Sequence, residues 1–168
     1  MNAAPSIEEF RAEARAWLST VAVPEPTHAQ VWGHGDLSVV VFDNWTDQEE
    51  AAVVAAGRAW ERLRYDAGFG AITWPDRYGG RSLPQRYAEA YIGEERRFVT
   101  PRRNELFEVT RLMVAPTIDA WGTPQQQHRF VIAFLRTDLL CCQLFSEPGA
   151  GSDLAAVATR AERDGVAW

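Results

Sequence analysis

Lysine is absent from the 168-residue chain, and all seventeen basic residues are arginine. Schiff-base chemistry and a P-loop are thereby excluded, since both need a lysine. No function requires avoiding lysine everywhere, so its absence reads as a coding bias. Cysteine is scarce: Cys141 and Cys142 are adjacent, and there are no others. Neighbouring residues of an extended segment point to opposite faces, which disfavours a mutual disulfide or a shared metal. Two buried thiols of a cytoplasmic protein are expected instead. No apolar run approaches the roughly 18–20 residues of a membrane-spanning helix. The start, Met1-Asn2-Ala3-Ala4-Pro5, lacks the basic residues and apolar stretch of a signal peptide. A clustered basic stripe is missing too, and the formal net charge is −6. That argues against a nucleic-acid or anionic-membrane partner. No internal repeat is found.

What is present is core-forming material: 46% of residues are hydrophobic, including seven Trp and eight Phe. Ser6 and Glu9 form a capping box, and Ile7, Phe10, Ala14, Trp17 and Leu18 share the face of a first helix that Pro24 and Pro26 end. Residues 27–45 have no clear period and read as a loop or insertion. Thr46 and Glu49 open a second helix carrying Val53, Ala56, Gly57, Trp60, Leu63 and Ala67, with Gly68 as its C-terminal cap. An aromatic, turn-rich loop, Phe69 to Gly80, follows.

Ser82, with Pro84 in the first turn, is expected to begin a third helix with Tyr87, Ala88, Tyr91, Ile92, Phe98 and Val99 on its apolar stripe. The stretch from Leu106 to Trp121 is apolar on nearly every side and predicts an interior helix kinked at Pro116. Thr123, Pro124 and Gln126 restart a helix that buries Phe130, Val131, Phe134 and Leu135.

After Thr137-Asp138 the pattern changes. Leu139 to Phe145 reads as a strand buried on both faces. A Gly-rich turn comes next, Glu147-Pro148-Gly149-Ala150-Gly151-Ser152-Asp153, and Asp164-Gly165 signals a hairpin leading into Val166-Ala167-Trp168. The layout is five helices over residues 1–138 and the opening of a β domain over 139–168. Some 30 residues of β structure cannot form a sheet core alone, since about three strands with a covered face are needed. The expectation is therefore a fragment, or a chain completed by another.

Three motifs now carry a resemblance. Trp74-Pro75-Asp76-Arg77-Tyr78-Gly79-Gly80 resembles the W-P-x-x-Y-G-G loop of acyl-CoA dehydrogenases. Gly122-Thr123-Pro124-Gln125-Gln126-Gln127 is similar to that family's G-T-x-x-Q-x helix junction. Cys142 to Leu154 is similar to its flavin-binding signature, x-x-[ST]-E-P-x-A-G-S-D. They stand in family order over residues 47–168, while the first 45 residues match only as a leading helix. The resemblance implies a mainly α fold: a helical N-terminal domain followed by the first strands of a β-barrel domain, ending within that domain. It implies FAD as cofactor, an acyl-CoA thioester as substrate and α,β-dehydrogenation as reaction. It also implies an electron-transfer acceptor protein and a homo- or hetero-oligomer. The family's glutamate base, its W-x-[TS]-[NS] segment and its C-terminal helical bundle have no counterpart in these residues.

A reduced flavin carries negative charge at N1–C2=O and a proton or hydride at N5, so fixed hydrogen-bond donors there stabilise it. By resemblance the Ser146 hydroxyl faces N5, and the backbone of Gln143, Leu144 and Phe145 lines the ring edge. The serine matching Ser152 lies near the FAD pyrophosphate and the acyl-CoA chain. Gly149-Ala150-Gly151 permits close approach of main chain to a ligand, and Asp153 is expected to cap its own turn.

Simpler readings stand beside these. Ser146 can satisfy a strand-end backbone group, and Ser-Asp after glycines most often serves only a turn. No base or C-x-x-C spacing flanks the cysteines. His28, His34 and Asp36 fit no common zinc pattern and read as loop. Arg96-Arg97 and Arg102-Arg103 read as a solvated face beside Glu94, Glu95 and Glu105, and Tyr87 and Tyr91 as core or an interface rather than a substrate wall. Two alternatives to the enzyme remain open: a non-catalytic half-site subunit or assembly module, and a flavin monooxygenase of the same fold.

Overall fold

The computed structural model describes residues 4–26, 45–101 and 105–165. The proposed histidine–aspartate loop and Arg102-Arg103 lie outside these residues, as does the strand foreseen at 166–168. The order is α1 (Ile7–Val21), β1 (Val23–Pro24), α2 (Asp47–Asp66), α3 (Gln85–Glu95), β2 (Phe98–Val99), α4 (Glu105–Glu108), a π-helix (Val109–Val114), α5 (Ala115–Trp121) and α6 (Pro124–Leu135), with short 3₁₀ turns at Asp76–Tyr78 and Leu154–Ala156. The architecture is mainly α.

Three helices start as their sequences dictate. Ser6 and Glu9, Thr46 and Glu49, and Thr123 and Gln126 each form a reciprocal capping box, satisfying amide donors that the first turn leaves bare. Phe10, Ala14 and Leu18 of α1 are fully buried. They meet Trp60 of α2, Phe69 of the following loop, and Tyr87 and Tyr91 of α3 in one aromatic core. Phe10 packs edge-on to Tyr87 at 5.2 Å, and Phe69 stacks on Tyr91 at 5.2 Å. A second core joins Ala71, Tyr78, Ala115, Val131, Phe134 and Leu135. Tyr87 and Tyr91 are core, as read.

Other expectations need correcting. Ser82 does not cap α3: Pro84 holds that position, and the Ser82 hydroxyl donates to Asp76 Oδ1 at 3.0 Å. The amides of Ser82 and Leu83 donate back to Trp74 and Ile72 carbonyls instead, closing the aromatic loop on itself. Gly80 is required there, because a Cβ would stand 1.9 Å from the Trp74 carbonyl oxygen. Phe98 and Val99 are not helical. They pair antiparallel with Pro24 and Val23, so Val23-Pro24 is held to the bundle by a two-stranded ladder.

Leu63 is exposed. The buried face of α2 runs through Gly57, Trp60, Glu61 and Arg64, two of them charged and paired. The helix over 105–121 is not interior on every side either. Thr110 and Ala115 are fully buried, but Leu112, Met113 and Trp121 face outward.

The strand expected at Leu139–Phe145 is not a strand. Among the described residues nothing lies alongside to share ladder hydrogen bonds, and a lone extended segment has no other way to satisfy its backbone except water. Its side chains are correspondingly open: Leu139, Leu144 and Phe145 are all exposed. Cys142 is exposed rather than buried, and Cys141 is half-buried.

Candidate functional site

The site is assembled around the π-helix. The Ala115 amide donates to the Thr110 carbonyl, one residue further back than in an α-helix. Pro116, which has no amide to donate, stands in the first turn of α5. The widened turn sends successive side chains in different directions. The fully buried Thr110 hydroxyl accepts the Cys141 amide at 2.9 Å and donates to the Leu106 carbonyl at 2.8 Å. Arg111 reaches the other way, donating to the Glu61 carboxylate and the Gly70 carbonyl. Gln143 Nε2 lies 3.7 Å from the Met113 sulfur. One helical segment therefore touches both the start of the signature segment and the interior.

On the Arg111 side lies a cavity of about 270 Å³ between α2, α3, the aromatic loop and the π-helix. Phe69, Ile72, Trp74, Ile92 and Leu112 supply apolar lining, while Glu61, Arg64, Glu108 and Arg111 supply charge. Glu61, Arg64 and Arg111 are mutually held. Arg64 Nη1 donates to Glu61 at 2.8 Å, and its Nε lies 3.4 Å from Glu95. Trp60 Nε1 and the Tyr91 hydroxyl both donate to Glu95 at 3.1 Å, and the Arg64 guanidinium lies over the Tyr91 ring at 5.0 Å. Burial pushes the Tyr91 phenol well up, so it acts as a neutral donor. Removing one partner from such a buried network costs about 3–5 kcal/mol. Glu61 and Glu95 are engaged by arginine, so neither of these two is placed as a general base. No cluster of metal-ligating side chains is found among the described residues.

On the Thr110 side the chain runs out through the signature. Glu147 and Ala150 exchange backbone hydrogen bonds of 2.9 and 3.0 Å across Pro148-Gly149, closing a tight turn. The Glu147 carboxylate accepts the Thr159 hydroxyl and the Ala158 and Thr159 amides, and those hydrogen bonds hold its pKa below the usual carboxylate range. Asp153, expected to cap, makes no side-chain cap hydrogen bond; Glu147 is the residue that ties this loop together. Burial and the neighbouring Cys142 push the Cys141 thiol up, so it is no activated nucleophile.

Gln143, Leu144, Phe145, Ser146 and Ser152 are all exposed. A Cβ added at Gly149 or Gly151 would meet nothing within 4 Å. Gln143 to Ser146 thus present one open run with a bare hydroxyl at Ser146, and Ser152 is exposed beyond the Glu147–Ala150 turn. This donor set fits the edge of a flavin and an anion beyond it. Sequence reading missed Thr110, Arg111 and Glu147. The only available signal was an arginine and a threonine within an otherwise apolar helix, and the glutamate inside the signature itself.

Residues 5–138 match the family described as acyl-CoA dehydrogenase, N-terminal domain. The chain is 38% identical over 162 residues to acyl-CoA dehydrogenase IpdE1 of Mycobacterium tuberculosis, covering 96% of this chain and 38% of that protein. It is 35% identical over 161 residues to the IpdE1 of Mycolicibacterium smegmatis, again covering 96% and 38%. The chain thus spans little more than a third of the length of these relatives. Among solved structures, it is similar to the ChsE4-ChsE5 complex of Mycobacterium tuberculosis, with a TM-score of 0.58 at 28% identity over 98% of this chain and 36% of that one. It is also similar to the Tcur3481-Tcur3483 steroid ACAD, with a TM-score of 0.58 at 26% identity over 98% and 38%. The capped helices, the closed aromatic loop, the family match and these relatives agree: the chain belongs to the acyl-CoA dehydrogenase family.

Proposed function

We propose that this chain serves FAD-dependent α,β-dehydrogenation of an acyl-CoA thioester, supplying one helical wall of the acyl pocket and the segment that faces the flavin. The observation that carries this reading is the open run from Gln143 to Ser146 beside the π-helix, whose serine hydroxyl has no hydrogen-bond partner among the described residues. FAD, when bound, supplies the acceptor for the hydride leaving the β-carbon. Ser146 donates toward flavin N5. The backbone of Gln143, Leu144 and Phe145 borders the ring and excludes water from it. Ser152 lies toward the pyrophosphate and the thioester. Thr110, by holding the Cys141 amide, keeps this run at a set distance from the cavity. Glu61 and Glu95 are both engaged by arginines, and the glutamate base that the resemblance implies has no counterpart in these residues, so the acceptor of the α-proton comes from elsewhere in the assembled enzyme.

Residues 139–168 are read as the start of the β domain. The electron acceptor is a separate electron-transfer protein, and the setting is cytoplasmic. No described helix is long and apolar enough to cross a membrane. Because one similar structure is that of a steroid ACAD, the substrate class proposed is a bulky, ring-bearing acyl-CoA.

A second reading has its own support. Two of the similar structures pair differently named chains, which favours a hetero-oligomer in which this chain is one partner and the catalytic glutamate lies on the other.

Ser146→Ala in the assembled enzyme tests the first reading. Flavin reduction in stopped flow is expected to slow by about 10–100-fold, with acyl-CoA binding changed little. An unchanged reduction rate would remove Ser146 from the site.

A further inference from the structure

Two helices of this chain end in the same geometry, but with different residues. After α2, Gly68 takes φ +80°, its amide donates to the Tyr65 carbonyl and the next amide, Phe69, donates to Arg64. After α6, Thr137 takes φ +61°, its amide donates to Phe134 and the Asp138 amide donates to Ala133. Both are Schellman ends, where glycine is the usual left-handed residue. A β-branched residue pays about 1–2 kcal/mol for that conformation. Thr137 is nonetheless fully buried, so its surroundings must hold it.

They do so through one face of α2. Arg58, Arg62 and Asp66, four residues apart, all reach the turn. Arg58 forks onto two successive carbonyls, Nε to Thr137 at 3.2 Å and Nη2 to Asp138 at 2.9 Å. Arg62 lies 2.8 Å from the Asp138 carboxylate. Asp66 takes a bidentate pair from Arg136 at 2.8 and 2.9 Å, and Arg136 also binds Asp138 at 3.0 Å. The Thr137 hydroxyl donates to the Arg136 carbonyl at 2.6 Å and lies 3.4 Å from that of Arg58. Exposed ion pairs of this kind contribute only about 0–1 kcal/mol each. Their number and aim on one turn make a directional device rather than a store of stability.

We propose that this arginine clasp and the left-handed Thr137 are positioning residues: they set the direction in which residues 139–146 leave the helical bundle. The next two anchored amides support this. Leu139 donates to Ala133 at 3.1 Å and Cys141 donates to Thr110 at 2.9 Å, so the segment is held first by the clasp and then by the π-helix. The consequence for Ser146 rests on the flavin reading above.

The test is hydrogen exchange at the Leu139 and Cys141 amides of the full chain, with flavin reduction measured separately in the assembled holoenzyme. Arg58→Ala is expected to speed exchange at both amides by about ten-fold or more while α1 to α3 keep their protection. Arg58→Lys retains the charge but cannot fork, and is expected to behave as Arg58→Ala does. Thr137→Gly suits the left-handed backbone and removes the hydroxyl, so its exchange is expected to rise without a fall in melting temperature. Unchanged exchange in Arg58→Ala, or a rise shared equally by α1 to α3, would overturn the proposal. Faster exchange accompanied by slower flavin reduction at constant KM upholds both readings. Faster exchange with flavin reduction unchanged upholds the clasp and overturns the role given to Ser146.

Discussion

Residues 5–138 and residues 139–165 obey the same chemistry with opposite results. In the first region each helix satisfies its own backbone and buries one face, so Phe10, Ala14 and Leu18 are fully enclosed. In the second, an equally apolar run keeps Leu144 at 88% and Phe145 at 68% exposure. A helix carries its hydrogen-bond partners within itself, whereas an extended run needs a neighbour on at least one edge. What the second region has is anchors: Thr110 on Cys141, and Glu147 on Ala158 and Thr159. It is held at points and left open between them.

Substitutions that strike one region and spare the other sharpen this contrast. Phe10→Ala removes a ring at the centre of the aromatic core and is expected to cost about 3–5 kcal/mol by denaturant unfolding. Gly80→Ala forces a methyl against the Trp74 carbonyl and should cost about 3 kcal/mol in the same measurement, by opening the loop that carries Trp74 and Tyr78. Leu144→Ala is the opposing case. Its side chain touches little, so unfolding of the chain is expected to shift by less than about 0.5 kcal/mol, while assembly with the rest of the enzyme weakens. A loss near that of Phe10→Ala would mean that the two regions do not differ as described.

Local chemistry was readable without coordinates. The capping boxes at Ser6, Thr46 and Thr123 stand where their spacing says, because the bonds that make them span three residues. The three motifs led to the family, and Gln143 to Ser146 lie together in one exposed run. The strand at Leu139–Phe145 was misjudged because apolar character reports a wish for burial, not the presence of a partner. Phe98 and Val99 continued a helical stripe on paper and became a strand because β1 lay within reach.

Glu61, Arg64, Thr110, Arg111, Thr137 and Glu147 took their roles only in three dimensions. Each has a partner between 12 and 79 positions away. No sequence period encodes such pairings, since charge balance inside a core and a left-handed threonine at a helix end are settled by what the rest of the chain brings alongside. The sequence by itself determined the capped starts of α1, α2 and α6 and the family. The tertiary structure decided which charges are buried, where α6 turns out, and which face of the signature stays open.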